Sequence, residues 1–502
     1  MKNFFSAVGL VASLAAFVSV ASAQDEGYWN QFRGPTGDGR SLETDLPVEF
    51  GETKNVRWKT PIHDQGWSSP VVWGDRVWLT TAREDGTELF AVCVDLDSGE
   101  LVHDIKVFDV AEPQLDHPGL NTHATPTPIV EDGRVYVHFG AYGTACLGAK
   151  SGEKLWERRD LKCDHRVRPA SSPIIDGDSL FLTFDGVDAQ FVAALDKNTG
   201  ETLWLQDRGA GFDFVAKMKA EGISEADAVE TATTGKPGDN RKSYATPTII
   251  EHEGRRQLIS PGAEVTFSYD PKTGEEFWRV VHEGWGWNVT CRPVFANGLV
   301  YLTEGVSRRL VAVRPSGTGD VTDTHIVWEI DGRGAPEISS PLAVDGLLFT
   351  KSDSGGSISC LDATTGEQIW RGRLPGGGTF WASPVYADRK IYIASMKGAV
   401  YVISAGREFE LIAVNRFESL TRRKGASVEK KDASRGEEGT EKLVEQMKAK
   451  GMSDAEIKEW FDDEAGQTGA SQNGFVASPA VANNVILLRS GAHLYCIAEE
   501  SK

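Results

Sequence analysis

Short apolar runs recur along the chain at intervals of forty-odd residues, each bounded by Gly, Asp, Asn or Pro. Runs such as Val77-Trp-Leu-Thr-Thr81 are too short for packed helices and carry the β-branched and aromatic residues that suit a pleated sheet. One phrase sets the repeat: an apolar pair, a short gap, Thr/Ser-Gly-Glu, then Trp. It reads Cys146-Leu-Gly-Ala-Lys-Ser-Gly-Glu-Lys-Leu-Trp156 and returns in the segments ending at Trp204, Trp278 and Trp370, with weaker copies at 93–99, 311–328 and 400–406. A second phrase precedes each copy: Ser/Thr-Pro (Arg-Pro at 292–293), apolar residues, and a Gly or Asp turn into an alternating run. Its prolines are Pro70, Pro126, Pro173, Pro247, Pro293, Pro341, Pro384 and Pro479.

Each unit therefore reads as four strands, A to D, with the Thr-Gly turn between C and D supplying a residue at positive φ. Four short strands repeated eight times predict an all-β, eight-bladed β-propeller of four-stranded blades. The boundaries follow: an N-terminal tail at 24–54 and a propeller at 55–502, with inserts at 109–122, 210–242 and 420–473. Setting tail and inserts aside leaves about 43 residues per unit, the length of a four-stranded blade. The last unit, from Pro479, stops before a strand D, while Asn55-Val-Arg-Trp-Lys-Thr60 is a strand D without a unit. Pairing 55–60 with 479–498 closes the ring and covers exposed edges. Trp58, Trp156, Trp204, Trp278, Trp328 and Trp370 are then expected between neighbouring blades.

Composition adds location and excludes some partners. Lys2, the apolar stretch Ala7–Val20 and Ala21-Ser22-Ala23 read as a signal peptide over 1–23, which implies a secreted or periplasmic protein. No stretch is long enough to span a membrane. With 53 basic and 73 acidic residues the net charge is −20, which disfavours nucleic acid. The mix of apolar and charged residues is that of an ordinary globular protein, expected to be a monomer. Cys93, Cys146, Cys360 and Cys496 share one repeat position and read as small buried residues, whereas a bond between Cys163 and Cys291 stays open. No GxSxG, P-loop, HExxH or zinc spacing is present.

The Ala/Cys-Leu-Asp-x-x-Thr-Gly-Glu-x-x-Trp phrase resembles the tryptophan-docking repeat of the quinoprotein (PQQ-type) propellers. That superfamily includes quinoprotein alcohol dehydrogenases and the propeller lipoprotein of the outer-membrane β-barrel assembly machinery, and the chain resembles the latter (BamB-like) more. Trp29-Asn-Gln-Phe-Arg-Gly-Pro35 resembles the leader of secreted members without an assigned reaction. The resemblance implies two functions: a scaffold binding a protein partner or small molecule, or a PQQ- and calcium-dependent dehydrogenase acting on an alcohol or sugar. The second needs calcium held by oxygens, with Glu264, Glu304, Asp185, Asp353 and Asn288 as candidates. The chain has neither the adjacent Cys-Cys pair of many such dehydrogenases nor a CxxCH haem site, so no cofactor is favoured.

In a propeller the links from D to the next A lie on the top face. All three inserts fall there, and Phe214–Ala232 and Glu441–Glu464 read as helical coverings. The residues just before each strand A converge on the axis: Trp67, His123, Arg168, Tyr244, Asn288, Glu337, Trp381 and Phe475, with Trp285 and Trp287 nearby. Aromatic walls with a few polar groups describe a ligand pocket. Trp67 and Trp381 would supply apolar surface, Arg168 would meet an anion, and His123 with Glu337 would handle protons. The plainer alternatives are a backbone bond for His123, an Arg168–Glu337 pair, and Trp rings that seal the channel.

Overall fold

The computed structural model describes residues 28–499 except 115–120, 132, 209–218, 220–221, 223, 225, 227–240, 283–287, 306–307 and 422–473. The expected signal peptide, the helix at 441–464 and all but four positions of that at 214–232 lie outside the described residues. Among the described residues no helix is long and apolar enough to cross a membrane.

Eight sheets form an eight-bladed propeller. Blades 1 to 7 span 71–109, 129–158, 174–207, 248–281, 294–331, 342–373 and 385–416. Blade 8 combines 480–497 with the N-terminal strand Val56–Pro61, which pairs antiparallel with His493–Ile497 so that Trp58 faces Cys496. The chain's two ends thus close the ring. Blade 4 gains a fifth strand, Gly319–Asp320, which reaches back from blade 5 to lie parallel on its outer edge, with Gly319 beside Trp278.

Both faces of each blade are buried against neighbours, so the inner strands read as nearly continuous apolar runs rather than as strict alternation. One cluster joins Tyr136 and Cys146 of blade 2 to Leu180, Leu182 and Ala193 of blade 3. Most of the repeated Trp residues tie such seams. The indole N–H of Trp58 donates to Leu96 (2.8 Å), Trp156 to Lys197 (3.0 Å), Trp204 to Pro271 (3.1 Å), Trp328 to Ala363 (3.1 Å) and Trp370 to Gly406 (2.9 Å), each acceptor a backbone carbonyl of the next blade. Trp278 differs: it donates to Gln257 of its own blade, and Gln257 donates to the Pro315 carbonyl of blade 5. In blade 1 His103 stands opposite Cys93, as Trp156 stands opposite Cys146, and bonds the Lys150 carbonyl at 3.1 Å. All six cysteines are free and buried, Cys163 and Cys291 included.

Register corrects one repeat position. Val71 pairs with Trp78 in blade 1, and Ile129 pairs with Tyr136 in blade 2, so the equivalent prolines are Pro70 and Pro128 rather than Pro126. In the run Thr125-Pro-Thr-Pro128 two Thr-Pro steps lie in tandem, and the strand starts after the second. The residue before each of these prolines builds a belt around the axis. The backbone N–H groups of Ser69, Thr127 and Ser172 donate to the hydroxyls of Thr127, Ser172 and Thr246, all at 2.9 Å. Those of Arg292, Ser340 and Ser383 donate to Ser340, Ser383 and Ser478 at 2.9–3.0 Å. Arg292 stands where seven other blades have Ser or Thr.

The innermost strands would present bare edges to the bore. The segment from Tyr28 to Ser41 covers several of them. Trp29 and Val72 exchange backbone hydrogen bonds, Val130 donates to Asn30, and Tyr386 bonds Gly39 and Ser41. Trp29 is 1% exposed, and Leu46 and Phe50 continue into the core between blades 7 and 8.

Candidate functional site

Several of the exits before strand A are laced to their neighbours. Trp67 N–H donates to the Ala124 carbonyl (3.1 Å), Asn121 Nδ2 to the carbonyls of Arg168 and Pro169 (3.4 and 3.1 Å), and Tyr244 N–H to Val289 (2.7 Å). Asn288 N–H donates to Lys242 (2.8 Å), and the Thr290 hydroxyl to Glu337 (2.6 Å). Backbone conformation at these exits is specialised, with Arg168 at φ +63° and Asn288 at φ +56°. Such left-handed positions aim side chains away from the strand path.

Trp67 and Trp381 meet edge to face at 5.6 Å, half-buried. Phe475 is fully buried behind them against Phe417 and Tyr495 and belongs to the core. His123 is buried edge to face with Tyr142 (5.4 Å) and beside Gly86. Arg168 is buried and donates to the carbonyls of Asn121 (2.8 Å) and Glu84 (3.3 Å). Tyr244 lies with its ring 4.7 Å from Lys242 Nζ. Asn288 Oδ1 is buried without a hydrogen-bond partner among the described residues. Glu337 is held by Arg308 (3.0 Å), and burial raises its pKa against the pull of that guanidinium. Trp287, like Trp285, lies outside the described residues. His123 and Glu337 belong to the exits of blades 2 and 6, on opposite sides of the ring.

The structure adds buried cations that no local motif flags. Lys351 is 2% exposed and donates to the Phe380 carbonyl (2.7 Å). Arg489 is 2% exposed and donates to the carbonyl (2.9 Å) and hydroxyl (2.5 Å) of Ser68. Burial lowers their pKa values to about 8 and about 9, with Asp353 opposing the shift of Lys351. Both sit two residues after the strand-B partner of the first strand-A residue, Phe349 and Leu487. Blades 1, 3 and 5 have Thr80, Thr183 and Thr303 there. Aligning the repeats on strand pairing, rather than on the Trp phrase, exposes the two cations.

Three of the four carboxylates proposed for calcium are engaged otherwise, and Glu264 is buried. Asp185 is fully buried in a pair with Arg208, and burial raises its pKa against that charge. Glu304 is shared by His282 and Arg309, both at 2.9 Å. Asp353 accepts the backbone N–H groups of Glu337, Ile338 and Ser339 at 2.7–3.2 Å. No group of three or more His, Cys, Asp or Glu suited to a metal occurs among the described residues. A calcium ion needs six to eight oxygens free to turn toward it, and this donor set does not fit.

The family model of outer membrane protein assembly factor BamB matches residues 90–212 and 319–408. The chain is 29% identical over 265 residues to a quinoprotein ethanol dehydrogenase of Pseudomonas aeruginosa, covering 51% of this chain and 34% of that protein. It is 21% identical over 297 residues to a tetrathionate hydrolase of Acidithiobacillus ferrooxidans, covering 55% of this chain and 54% of that protein. The matches therefore span about a third to a half of the length of these relatives. In fold the chain is similar to a quinohemoprotein alcohol dehydrogenase from Comamonas testosteroni, with a TM-score of 0.59, 10% identity, and coverage of 96% of this chain and 82% of that one.

Proposed function

The chain is a member of the PQQ-repeat propeller superfamily, and from that premise we propose that it is an exported binding propeller whose top mouth takes an anionic ligand. The ligand is a small carboxylate-bearing molecule or the acidic side chains of a protein partner. The observation that carries this reading is the pair Lys351 and Arg489. Both are buried near the mouth of a chain with net charge −20, and both donate to neutral oxygens. Cations held out of water inside an acidic shell attract an incoming anion, even with Asp353 near Lys351. Trp67 and Trp381 supply the apolar wall, and Arg168, Tyr244 and Asn288 complete the rim. The signal-like N-terminus and the superfamily support a periplasmic or extracellular setting.

The test is a titration of intrinsic Trp fluorescence with citrate, with PQQ and with an oligoglutamate peptide, for the wild type and for K351M and R489M. Saturable quenching that weakens about tenfold or more in either variant supports the reading. Equal binding by all three proteins, or none by the wild type, rejects it.

A second reading, a PQQ-dependent dehydrogenase, draws on the similarity to quinoprotein ethanol dehydrogenase. The engaged carboxylates weigh against its calcium site. An absorbance spectrum and metal analysis of protein purified with PQQ and calcium decide this: a stoichiometric quinone with calcium would favour the enzyme.

A further inference from the structure

Arg292 interrupts the belt of Ser and Thr around the axis. Its guanidinium turns toward the N-terminal leader, where Nη1 donates to the Phe32 carbonyl (2.5 Å) and Nη2 to Gln31 Oε1 (3.1 Å). Arg33 of the leader lies close by and donates from Nη2 to the carbonyls of Pro341 (2.8 Å) and Asp38 (2.5 Å). The two are 2% and 1% exposed, and every one of these acceptors is a neutral oxygen. The Nε of each, and Nη1 of Arg33, have no hydrogen-bond partner among the described residues.

The site is built around these two side chains. Gly37 and Gly39 sit at φ +71° and +86° and pack directly on the guanidinium groups of Arg292 and Arg33, where any Cβ would collide. A crevice of about 380 Å³ opens beside them, lined by Gln31, Thr36, Asp38, Thr248, Arg256 and Arg292. Its walls are the leader and the inner strands of blades 3 to 5, running toward the A–B turns, away from the mouth with Trp67 and Trp381.

Charge in this crevice is unevenly placed, with the carboxylate of Glu251 also in its lining beside Arg256. Arg256 is matched by Asp176 and by Glu251 at 3.5 Å. Arg33 and Arg292 have Asp38, whose carboxylate is also engaged by the Thr36 hydroxyl (2.7 Å) and the Arg40 N–H (3.0 Å). Burial and then the charge of Arg33 lower the pKa of Arg292 to about 9, and burial lowers that of Arg33 to about 10. Arg256 thus has two carboxylates while the buried Arg33 and Arg292 share Asp38 alone, so positive charge is concentrated at the buried end, a costly arrangement unless something pairs with it.

We propose that this crevice is an oxyanion site, in which Arg292, backed by Arg33 and flanked by Gln31 and Thr36, binds a carboxylate or phosphate group. The planar fork of Arg suits both groups, and the volume holds a small polyatomic anion with some water. The site stands independently of the proposed mouth. The chain gives up a belt hydroxyl at this one blade to place a guanidinium beside the crevice.

The experiment is thermal melting of the full chain against inorganic phosphate and against citrate, at ionic strength held constant with chloride. The wild type should show a saturable rise in Tm, as expected for a ligand that binds only the folded state. R292S installs the residue found at the equivalent position of other blades and should abolish the rise. Q31E places a carboxylate beside Arg292 Nη2, so it should raise Tm without added anion and remove the response to it. Should R292S fail to fold, Q31E alone carries the test. Absence of a saturable response in the wild type, or an undiminished response in R292S or Q31E, overturns the proposal. So does a response that disappears in K351M or R489M while persisting in R292S, since it would then belong to the mouth.

Discussion

Trp328 donates its indole N–H to the carbonyl of Ala363, 3.1 Å away in the following blade. The acceptor lies one residue after Asp362 in the turn Asp-Ala-Thr-Thr-Gly366, so the two ends of the repeated phrase are complementary: the turn of one copy receives the Trp of the copy before it. The same relation joins Trp58 to Leu96, Trp156 to Lys197 and Trp204 to Pro271. A motif that recurs to hold itself together needs no ligand to explain its Trp.

The docking Trp residues are not equally buried, and their substitution should separate accordingly. Trp204 and Trp370 are half-buried on the outer strand, whereas Trp278 is 0% exposed beneath the extra strand at Gly319. Trp278→Ala should cost about 3–5 kcal/mol, the range for a fully buried aromatic, and W204A and W370A about 2 kcal/mol. Urea unfolding of the three variants checks the order. Equal losses would mean that the fifth strand adds nothing to blade 4.

Gly366 sits at φ +75°, and a Cβ there would lie 2.7 Å from Trp328 Cδ2. Gly366→Ala should therefore destabilise by roughly 2 kcal/mol or more, combining left-handed backbone strain with a steric clash. Removing the ring relieves only the clash. In the W328A background G366A should cost less than in the wild type, and a double-mutant cycle reads the difference. Strict additivity would show that the backbone strain is the whole effect.

The ring of blades is legible in the sequence because its devices are local: the Asp-x-x-Thr-Gly turn, the Trp, and the proline before each inner strand. The tandem Thr-Pro steps at 125–128 mislead, because only pairing of Ile129 with Tyr136 tells which proline begins the strand. His103 escapes the pattern since an imidazole takes the indole's place. At the mouth, sequence order indicates which residues come before each inner strand. It does not indicate that Phe475 turns into the core or that Glu337 pairs with Arg308. Lys351, Arg489 and the Arg33–Arg292 pair depend on contacts between segments far apart in the chain, for which a single sequence offers no local pattern.

Lys351 makes a pH prediction with a definite sign. Its pKa falls from 10.5 to about 8 through burial, so between these values the unfolded chain holds the proton and the folded chain does not. Stability due to this residue therefore rises with pH across that window. Below about pH 8 the buried charge is present in full and costs the most. The wild type should gain on K351M by roughly 3 kcal/mol on going from about pH 7 to about pH 11, since each pH unit between the two pKa values contributes about 1.4 kcal/mol. Urea unfolding of both proteins over that range measures it, and a constant difference would contradict it. An anion at the mouth should also bind more weakly as pH rises through about 8.

Ser339 and Ser340 are chain neighbours of nearly equal burial, 1% and 2% exposed, but their hydroxyls have different tasks. Ser340 Oγ accepts the Arg292 backbone N–H at 2.9 Å and links blade 6 to blade 5 in the belt. Ser339 Oγ is buried without a hydrogen-bond partner among the described residues. Removing an acceptor leaves a buried donor unsatisfied and costs about 1–3 kcal/mol, whereas removing an unpaired hydroxyl relieves a desolvation penalty. Ser340→Ala should therefore destabilise by about 1–3 kcal/mol, and S339A should be neutral or slightly stabilising. Ser383→Ala should resemble S340A, since its hydroxyl receives the Ser340 N–H at 3.0 Å. Chemical denaturation of the three variants reads the contrast directly. If S339A and S340A lose equally, burial and volume decide the cost at the bore, and the belt of hydrogen bonds carries no stability of its own.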